Sequence, residues 1–251
     1  MPALHEIVRF TDKYLRLAEI EDYENALNGL QIENSGEVTK IGAAVDASTH
    51  TFEMASENGI DFLVVHHGLF WPGLRPVTGA LYQGLKRAFD HNVALYSAHL
   101  PLDLHPKIGN NALLAAALGL GETTPFLELK GGPAGLLAES TLRRDELLSR
   151  LEESLGGPVR CIGTGPMETK RIGLVTGGAG GEIYAAAREG IDTYITGEAP
   201  HWAAVAAEDL GINLFLGGHY ATETFGVKAL AAELAEKFGV PWEFLDHPTG
   251  L

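Results

Sequence analysis

The 251-residue sequence contains a single cysteine, Cys161, and has few basic residues. One cysteine excludes an intrachain disulfide framework and fits a reducing compartment such as the cytoplasm. Lys and Arg together number 18 against 33 Asp and Glu, which gives a formal net charge of −15. Because binding to a phosphate backbone needs clustered cations, this charge argues against a nucleic-acid surface.

Long hydrophobic runs are also missing. No apolar stretch reaches the roughly 18 residues of a membrane span, and the N-terminal "MPALHEIVRF" lacks the apolar core of a signal peptide. We therefore expect a cytoplasmic globular protein with no membrane partner. An acidic protein can still bind a small anionic molecule or a nucleotide when metal ions at the site supply positive charge.

The sequence does contain alternating strand and helix patterns. Strands are predicted at "KIGAAVDAS", "DFLVVHH" and "VALYSAH", and helices at residues 3–18, "THTFEMASENG", "ALYQGLKRAFDHN" and "NNALLAAALGL". Gly59 fits the position after a helix end, and Asn110 or Asn111 fits a helix cap. This order indicates β-α-β units and a largely parallel sheet. Residues 125–165 are less regular, apart from a helix in "LRRDELLSRLEESLG".

The second half of the sequence repeats the first. Residues 41–68 align with residues 172–199 without a gap, and "NGID" falls on "EGID". Further on, "VALYSAHLPLD" resembles "INLFLGGHYATE". We predict an α/β fold of two similar, intertwined lobes related by a pseudo-twofold duplication, with generic α/β similarity as the alternative. The expected lobes are residues 1–125 and 126–251, and a discontinuous first lobe is left open.

Potential metal ligands follow the predicted strands of both halves. The candidates are His66, His67, His99 and Asp103 in the first half and Glu198, His219 and Glu223 in the second. Ligands of open α/β sheets bind at the carboxyl ends of the strands, so we expect a site between the lobes. Imidazole and carboxylate together suit zinc, iron, manganese, cobalt or nickel. Cys161 lies apart from these stretches, which argues against a sulfur-rich site.

The adjacent histidines pose a geometric problem, because neighbouring strand residues point to opposite faces. Either the chain turns at His66, which Gly68 would permit, or the rings of His66 and His67 serve two different ions. His219 and Glu223 are four residues apart and share one face if that turn is helical.

Each motif also has a plainer interpretation. The His66–His67 pair by itself is a weak signal of metal binding. His219 and Glu223 alone fit a hydrogen-bonded surface pair, and Asp103 alone fits a turn cap. Their shared position after strands at one sheet edge favours the metal site.

Several motifs together resemble the Nif-three-like dinuclear metal-centre family, also known as GTP cyclohydrolase type 2-like. They are "NGLQ", "VDAS", "HHGLFW", "AHLPLDLHPKIGNN", "TGE" and "GHYATETFGV", in this order. The resemblance implies five ligands to two metal ions, and these fall on His66, His67, Asp103, His219 and Glu223. It places His99 beside the metals rather than on them. It also implies a ring-shaped homohexamer. Many members read "HHP" where this chain has "HHG".

Two functions fit this sequence. The first is a metal-dependent hydrolase that uses a hydroxide bridging two divalent ions, with His99 or His201 transferring protons. Its reaction is GTP cyclohydrolase-like, or hydrolysis of a phosphoester or amidine. The alternative is a non-enzymatic metal-handling or regulatory binding protein. The glycine-rich stretch at residues 176–182 fits either a phosphate loop or a tight packing turn.

Overall fold

The computed structural model describes residues 1–129 and 132–251, which form two compact units. The first unit contains residues 1–102 and 226–247, and the second contains residues 103–225 and 248–251. This division differs from the expected 1–125 and 126–251. Residues 226–247 belong to the first unit because the strand Trp242–Phe244 pairs in parallel with Ile41–Asp46 of the first sheet. The first unit is therefore discontinuous.

The first unit is built on a five-stranded sheet of order β1-β4-β3-β2-β11. Its elements are α1 (Leu4–Tyr14), β1 (Gly29–Ile32), β2 (Ile41–Asp46), α2 (Thr49–Glu57), β3 (Phe62–His67), α3 (Gly79–Asp90), β4 (Ala94–Ser97), α4 (Leu100–Asp103), α10 (Thr224–Phe238) and β11 (Trp242–Phe244). The last residue of α4, Asp103, and the first two residues of α10 lie in the second unit. Only the edge strand β1 pairs antiparallel, so this sheet is largely parallel as predicted.

The second unit is built on a six-stranded sheet of order β5-β6-β8-β9-β10-β7. Its elements are α5 (Asn110–Ala117), β5 (Thr123–Leu129), β6 (Gly132–Arg143), α6 (Arg144–Leu155), β7 (Arg160–Ile162), β8 (Glu168–Leu174), a 3-10 turn (Ala179–Glu182), α7 (Ile183–Arg188), β9 (Thr193–Thr196), α8 (His201–Leu210), β10 (Asn213–Leu216) and α9 (His219–Thr222). The pairings of β5 with β6, β6 with β8 and β10 with β7 are antiparallel. The parallel pairing predicted from the first half does not extend to the whole of this unit, where the long strand β6 forms a hairpin with β5 in the stretch that looked irregular.

The two units repeat the same run of elements. The order α1-β1-β2-α2-β3-α3-β4-α4 in the first unit matches α6-β7-β8-α7-β9-α8-β10-α9 in the second. The strand register matches as well: Ile41 pairs with Phe62 as Ile172 pairs with Thr193. Both pairs differ by the 131 residues of the ungapped sequence alignment. The strand pairing within each unit is thus consistent with the predicted duplication.

Side chains alternate across the second sheet and give it two buried faces. Ile172, Leu174 and Phe215 pack with α5 and α6 on one face, while Tyr194 and Leu214 pack with α7 and α8 on the other. Each of these side chains is at most 1% exposed. Burial of such a side chain stabilises the fold by about 1.5–3 kcal/mol, so this sheet is a rigid support for the loops at its edge.

Local signals set the helix ends. Ser48 caps α2 by accepting from the Thr51 amide, and the Thr51 hydroxyl accepts from the Ser48 amide. Gly59 adopts φ +65°, as expected after a helix end. The predicted asparagine cap of α5 is wrong, because Gly109 occupies that position. Asn110 and Asn111 are buried and use their amides in bonds outside the helix.

Candidate metal centre

Three histidines of the first unit lie together at the end of its parallel strands. His66 and His67 end β3, and His99 follows β4. One nitrogen of each ring lies within 4.8 Å of one nitrogen of the other two, a spacing that could hold a metal ion. His66 is fully buried and His99 is 7% exposed. Strand β3 stays regular through His67, so the chain does not turn at His66.

The two adjacent histidines form hydrogen bonds towards the two strands that flank β3, which are β4 and β2. His66 donates from Nδ1 to the carbonyl oxygen of Ala98 at 2.8 Å, just beyond β4. His67 bonds through Nδ1 to Oδ1 of Asp46, the last residue of β2, at 2.9 Å. In the tautomer with the proton on Nδ1, the lone pair of each ring is on Nε2. Such a carbonyl or carboxylate partner fixes the tautomer and orientation of a metal-ligating histidine.

The ring of His99 is held in the same way by Asp22. Nδ1 of His99 lies 2.8 Å from Oδ1 of Asp22, and both side chains are less than 10% exposed. Asp22 also accepts from Nδ2 of Asn28 and from the Leu100 amide. Burial raises the pKa of the Asp22 carboxyl, but the bonds from His99 and Asn28 lower it more, so the net shift is downward. Asp22 is thus an ionised carboxylate that fixes the His99 tautomer.

The turn after His67 brings the backbone of Gly68 close to the Gln31 side chain. Oε1 of Gln31 accepts from the Leu69 amide at 2.8 Å. A Cβ on Gly68 would lie 2.3 Å from Nε2 of Gln31 and 2.7 Å from Oγ of Ser97. Any other residue at position 68, including the proline of the "HHP" motif, would require the Gln31 side chain to move.

Aromatic side chains cover the histidines of the first unit. The Trp71 ring lies 4.5 Å from the His99 ring and 5.2 Å from the His67 ring, measured between centroids. Tyr23 packs edge-on against Trp71 at 5.9 Å and lies 6.0 Å from His99. An apolar cover of this kind limits water access and lowers the local dielectric around a site.

The second unit contributes a histidine between two carboxylates. His219 begins α9 and Glu223 follows that helix, four residues later. Nε2 of His219 lies 3.2 Å from Oε2 of Glu223, and Nδ1 lies 3.0 Å from Oε1 of Glu198. Burial lowers the pKa of His219, but bonds to Glu223 and Glu198 outweigh burial and raise it to about 9. His219 and Glu223 therefore share one helical face, as the four-residue spacing predicts.

The glycine-rich loop of residues 176–182 packs against this pair. Gly177 has φ +71°, and a Cβ on it would lie 2.1 Å from Oε1 of Glu223. The Gly177 amide donates to Oγ1 of Thr222, and its carbonyl oxygen accepts from the amides of Gly197 and Glu198. Only a glycine fits where the backbone approaches a carboxylate this closely. The packing role therefore accounts for Gly177.

Asp103 is the first residue of the second unit and is 8% exposed. Its Oδ1 accepts from Nδ2 of Asn110 at 2.7 Å. The neighbouring Asn111 is also buried and accepts from the Thr176 amide. These bonds join the start of α5 to the glycine-rich loop and orient the Asp103 carboxylate.

Residues 2–249 match the profile of the family described as Duf34/NIF3 (NGG1p interacting factor 3). The chain belongs to the Duf34/NIF3 family. Relatives from Deinococcus radiodurans and Pyrococcus horikoshii are 41% and 43% identical over 249 residues. The alignments cover 98% of this chain and 94% and 98% of those proteins, and both are named "GTP cyclohydrolase 1 type 2 homolog".

Solved structures of other proteins share this fold over all or nearly all of their length. A crystal structure from Thermus thermophilus superposes with a TM-score of 0.91 at 40% identity, covering 100% of both chains. Reduced HcgD from Methanocaldococcus jannaschii superposes with a TM-score of 0.87 at 26% identity, covering 98% of both chains. Among the residues that the structure describes, no helix is long and apolar enough to cross a membrane.

Three acceptors in this Duf34/NIF3 chain were not identified as orienting groups from the sequence. Asp46 lies in the motif "VDAS" and Glu198 lies in the motif "TGE". Both motifs were recognised in the sequence, but neither predicted that its carboxylate would orient a histidine. Asp22 lies in a loop before β1 and carries no motif of its own. His201, a candidate for proton transfer, is exposed at the first position of α8. Among the two proton-transfer candidates, only His99 is buried beside other histidines.

Proposed function

We propose that His66, His67, Asp103, His219 and Glu223 hold two divalent transition-metal ions and that the protein is a metal-dependent hydrolase. The observation that supports this most is the set of partners on the histidine Nδ1 atoms. Each of the three proposed histidine ligands has a carbonyl or carboxylate oxygen at Nδ1. Carboxylate–histidine pairs of this kind accompany metal ligands in proteins, because they raise ligand basicity and fix the ring.

The donor set suits borderline metal ions. Three imidazoles and two carboxylates favour zinc, iron, manganese, cobalt or nickel over calcium or magnesium, which prefer oxygen ligands alone. Glu223 is 3% exposed and Asp103 is 8% exposed. Burying carboxylates at this depth is costly unless a cation or a donor compensates them, and a divalent ion supplies that compensation.

Bound divalent ions would supply Lewis acidity and a water that reacts near neutral pH. His99 is the residue of this chain that we assign to proton transfer. Its Nδ1 is held by Asp22, so Nε2 takes up or releases the proton. The buried Asp22 carboxylate holds the ring in one orientation, as the carboxylate of a catalytic triad does for its histidine. Exposed His201 has the weaker claim to this role.

The reaction that we propose is hydrolysis of a cyclic amidine or of a phosphoester. The relatives' shared name points to GTP cyclohydrolase chemistry, which belongs to the first class. A small anionic molecule or a nucleotide suits a site whose ions carry positive charge in a protein of net charge −15. We further propose that the chain assembles with itself, as a hexamer, on the basis of its resemblance to the family.

Metal analysis tests the ligand set. Chelator-treated protein is reloaded with Zn²⁺, Fe²⁺, Mn²⁺, Co²⁺ or Ni²⁺ and analysed for metal per chain, with an expected value near two for at least one ion. The double variant His66→Ala, Glu223→Ala should lose metal. A control pair on exposed positions, His91→Ala with Glu236→Ala, should keep it. Unchanged stoichiometry in the first pair would refute the proposal.

Activity measurements separate the hydrolase from a metal-handling protein. The reloaded protein is screened with GTP, with aryl phosphodiesters and with cyclic amidines, and His99→Ala is compared with the wild type. We expect His99→Ala to keep both metals and lose turnover. One metal fewer in His99→Ala would make His99 a ligand. Full metal loading with no turnover on any substrate would favour the metal-handling alternative.

A further inference from the structure

Two aromatic rings stack on each other at the surface of the second unit. Tyr184 is the second residue of α7, and Trp202 is the second residue of α8. Their ring planes differ by 8°, and the centroids lie 6.1 Å apart. Tyr184 is 51% exposed and Trp202 is 48% exposed. Single exposed apolar side chains are common, but two stacked rings form an ordered flat apolar face.

The aromatic pair lies at the edge of the sheet where ligands bind. Strands β8 and β9 are parallel, α7 follows β8 and α8 follows β9. Because Tyr184 and Trp202 are in the first turns of these helices, both lie towards the carboxyl ends of the strands. Ligands of open α/β sheets bind at that edge. The bonded pair of Glu198 and His219 follows β9 and β10 at the same edge.

The glycine-rich loop connects the aromatic pair to this histidine. A Cβ on Gly178 would lie 3.3 Å from Cε1 of His219, and a Cβ on Gly181 would lie 4.0 Å from Cζ2 of Trp202. Three residues of a 3-10 turn advance by about 6 Å. The Trp202 indole and the His219 ring are therefore next to neighbouring parts of one short loop.

Hydrogen bonds hold this loop against the segment that carries Trp202. The Gly180 amide donates to the carbonyl oxygen of Glu198 at 3.1 Å, and a Cβ on Gly180 would lie 2.5 Å from that oxygen. The Tyr194 hydroxyl donates to the carbonyl oxygen of Ala179 at 2.9 Å. These contacts fix the aromatic pair relative to Glu198. The face is thus formed before any ligand arrives, as in most small-molecule sites.

The apolar face is too small for a stable protein partner. Val205 extends it along α8 from Trp202, and exposed charged residues follow one turn later, Arg188 after Tyr184 and Asp209 after Val205. An aromatic side chain has about 150–250 Å² of surface, so two half-exposed rings offer roughly 200 Å². Stable protein interfaces bury about 800 Å² per partner. The exposed area matches the face of one planar ring.

We propose that the Tyr184–Trp202 pair is a stacking platform for a planar conjugated ring of the substrate, such as a nucleobase. Stacking on aromatic side chains accepts any base, because every base has a π face. The inference rests on the proposed function in that it takes this ring to belong to the substrate of the metal centre. It narrows that substrate to molecules with a flat ring and sets aliphatic phosphoesters aside.

A fluorescent nucleoside tests the platform directly. Stacking on an aromatic ring quenches 2-aminopurine riboside, which is titrated with full-length protein, both as purified and after chelator treatment. Uridine and 5,6-dihydrouridine then compete with it; they carry the same polar groups, but the dihydrouridine ring is saturated and puckered. Ribose 5-phosphate tests the phosphate without a base.

Four variants separate stacking from other effects. Trp202→Ala and Tyr184→Ala each remove one ring, and Trp202→Phe keeps an aromatic ring at its position. Tyr82→Ala is the matched control, because Tyr82 is a 48% exposed tyrosine on helix α3 of the first unit. Light scattering on the same samples gives the mass of each variant.

We expect saturable quenching with a dissociation constant on the order of 1 mM or below. Binding should weaken at least fivefold in Trp202→Ala and Tyr184→Ala, stay within about threefold of the wild type in Trp202→Phe, and stay unchanged in Tyr82→Ala. Uridine should compete at least fivefold better than dihydrouridine and ribose 5-phosphate.

Three results would overturn the proposal. They are the absence of quenching by the wild type, equal competition by uridine and dihydrouridine, and wild-type binding in both ring-removing variants. A changed mass in Trp202→Ala and Tyr184→Ala without loss of nucleoside binding would likewise overturn it and identify a subunit interface. The nucleosides carry no phosphate and are also tested without metal, so metal analysis of the same samples reports failure of the proposed metal centre separately.

Discussion

Replacing Gly177 by alanine tests whether the glycine-rich loop positions a metal ligand. The new Cβ would lie 2.1 Å from Oε1 of Glu223 and 3.4 Å from Nε2 of His219. Contacts below 3 Å do not persist, so either the backbone or the carboxylate must move. The Glu223 carboxylate is the end of a side chain and is the softer of the two. We therefore expect Gly177→Ala to displace the Glu223 carboxylate rather than to unfold the unit.

A second glycine isolates this effect from the cost of the backbone conformation. Gly211 has φ +66°, close to the φ +71° of Gly177, and its Cβ would meet nothing within 4 Å. A non-glycine residue in this conformation costs about 1–2 kcal/mol. Gly211→Ala should therefore lower the free energy of unfolding by about this amount in urea titrations, and Gly177→Ala by at least as much. Any difference between them reports the contact with Glu223.

Zinc affinity is the quantity that should separate the two variants. Moving a ligand or its orienting partner typically costs about 10–100-fold in metal affinity. Competition with a chromophoric chelator should show that loss in Gly177→Ala and a wild-type value in Gly211→Ala. Equal zinc affinity in both variants would show that Gly177 does not set the position of a ligand, and the packing argument would fail.

Three further results are expected. The free energy of unfolding of the metal-free protein should fall as the pH rises from about 6.5 to about 9. The pKa of His219 is raised to about 9 in the folded protein, so its protonated form stabilises the folded state, and this contribution is lost between the unfolded value near 6.5 and the folded value. Urea titrations across this range should show the decrease, and His219→Gln should abolish it. Asp22→Asn should destabilise by about 1–3 kcal/mol in urea, because an amide would then face the Asn28 and Leu100 donors; an unchanged midpoint would contradict the assigned bonds. Ser48→Ala should cost about 1 kcal/mol through loss of its cap, measured as a lower thermal midpoint, and an unchanged midpoint would show that the cap contributes nothing.

The β-α-β core could be predicted because its pattern is local. Continuous apolar runs such as "DFLVVHH" are typical of strands buried on both faces, and β3 (Phe62–His67) lies inside that stretch. The β5–β6 hairpin could not be predicted in the same way. Gly132, Pro133 and Gly135 lie in β6, and residues of these types usually interrupt a strand. All three residues pair with β5, and that pairing outweighs the local preference.

The asparagine cap failed for a related reason. A cap prediction assumes that a polar side chain near a helix start will satisfy the helix's own amides. Asn110 and Asn111 are instead buried, and they bond to Asp103 and to the Ala134 carbonyl oxygen. Hydrogen bonds that depend on the tertiary fold cannot be predicted from local sequence. The role of Asp22 beside His99 was not predicted for the same reason.

The register of the repeat also resolves a conflict within the sequence argument. Aligning the histidines of "VALYSAHLPLD" and "INLFLGGHYATE" pairs His99 with His219. The strands instead pair Phe62 with Ala94 and Thr193 with Asn213, so β4 and β10 are offset by 119 residues. At that offset His99 corresponds to Gly218 and His219 to Leu100. The two histidines are therefore not at equivalent positions of the alignment, which is compatible with the different roles that we propose for them.

At two aligned positions the second unit has glycine where the first unit has a polar side chain, and the steric reason is visible in the structure. At the 131-residue offset, Asp46 corresponds to Gly177, which faces the Glu223 carboxylate. His66 corresponds to Gly197, whose Cβ would lie 2.8 Å from Cα of His219. Side chains equivalent to Asp46 and His66 would therefore occupy the space that His219 and Glu223 fill.

The two units place the histidine and its orienting carboxylate at the ends of different strands. In the first unit, Asp46 at the end of β2 bonds to His67 at the end of β3. In the second unit, the residue equivalent to His67 is Glu198, and it bonds to His219 beyond the next strand. One strand end thus supplies a histidine in one unit and the histidine's partner in the other. Glycine at the two equivalent positions is what makes this exchange sterically feasible, so Gly197→Ala should disturb His219 as Gly177→Ala disturbs Glu223.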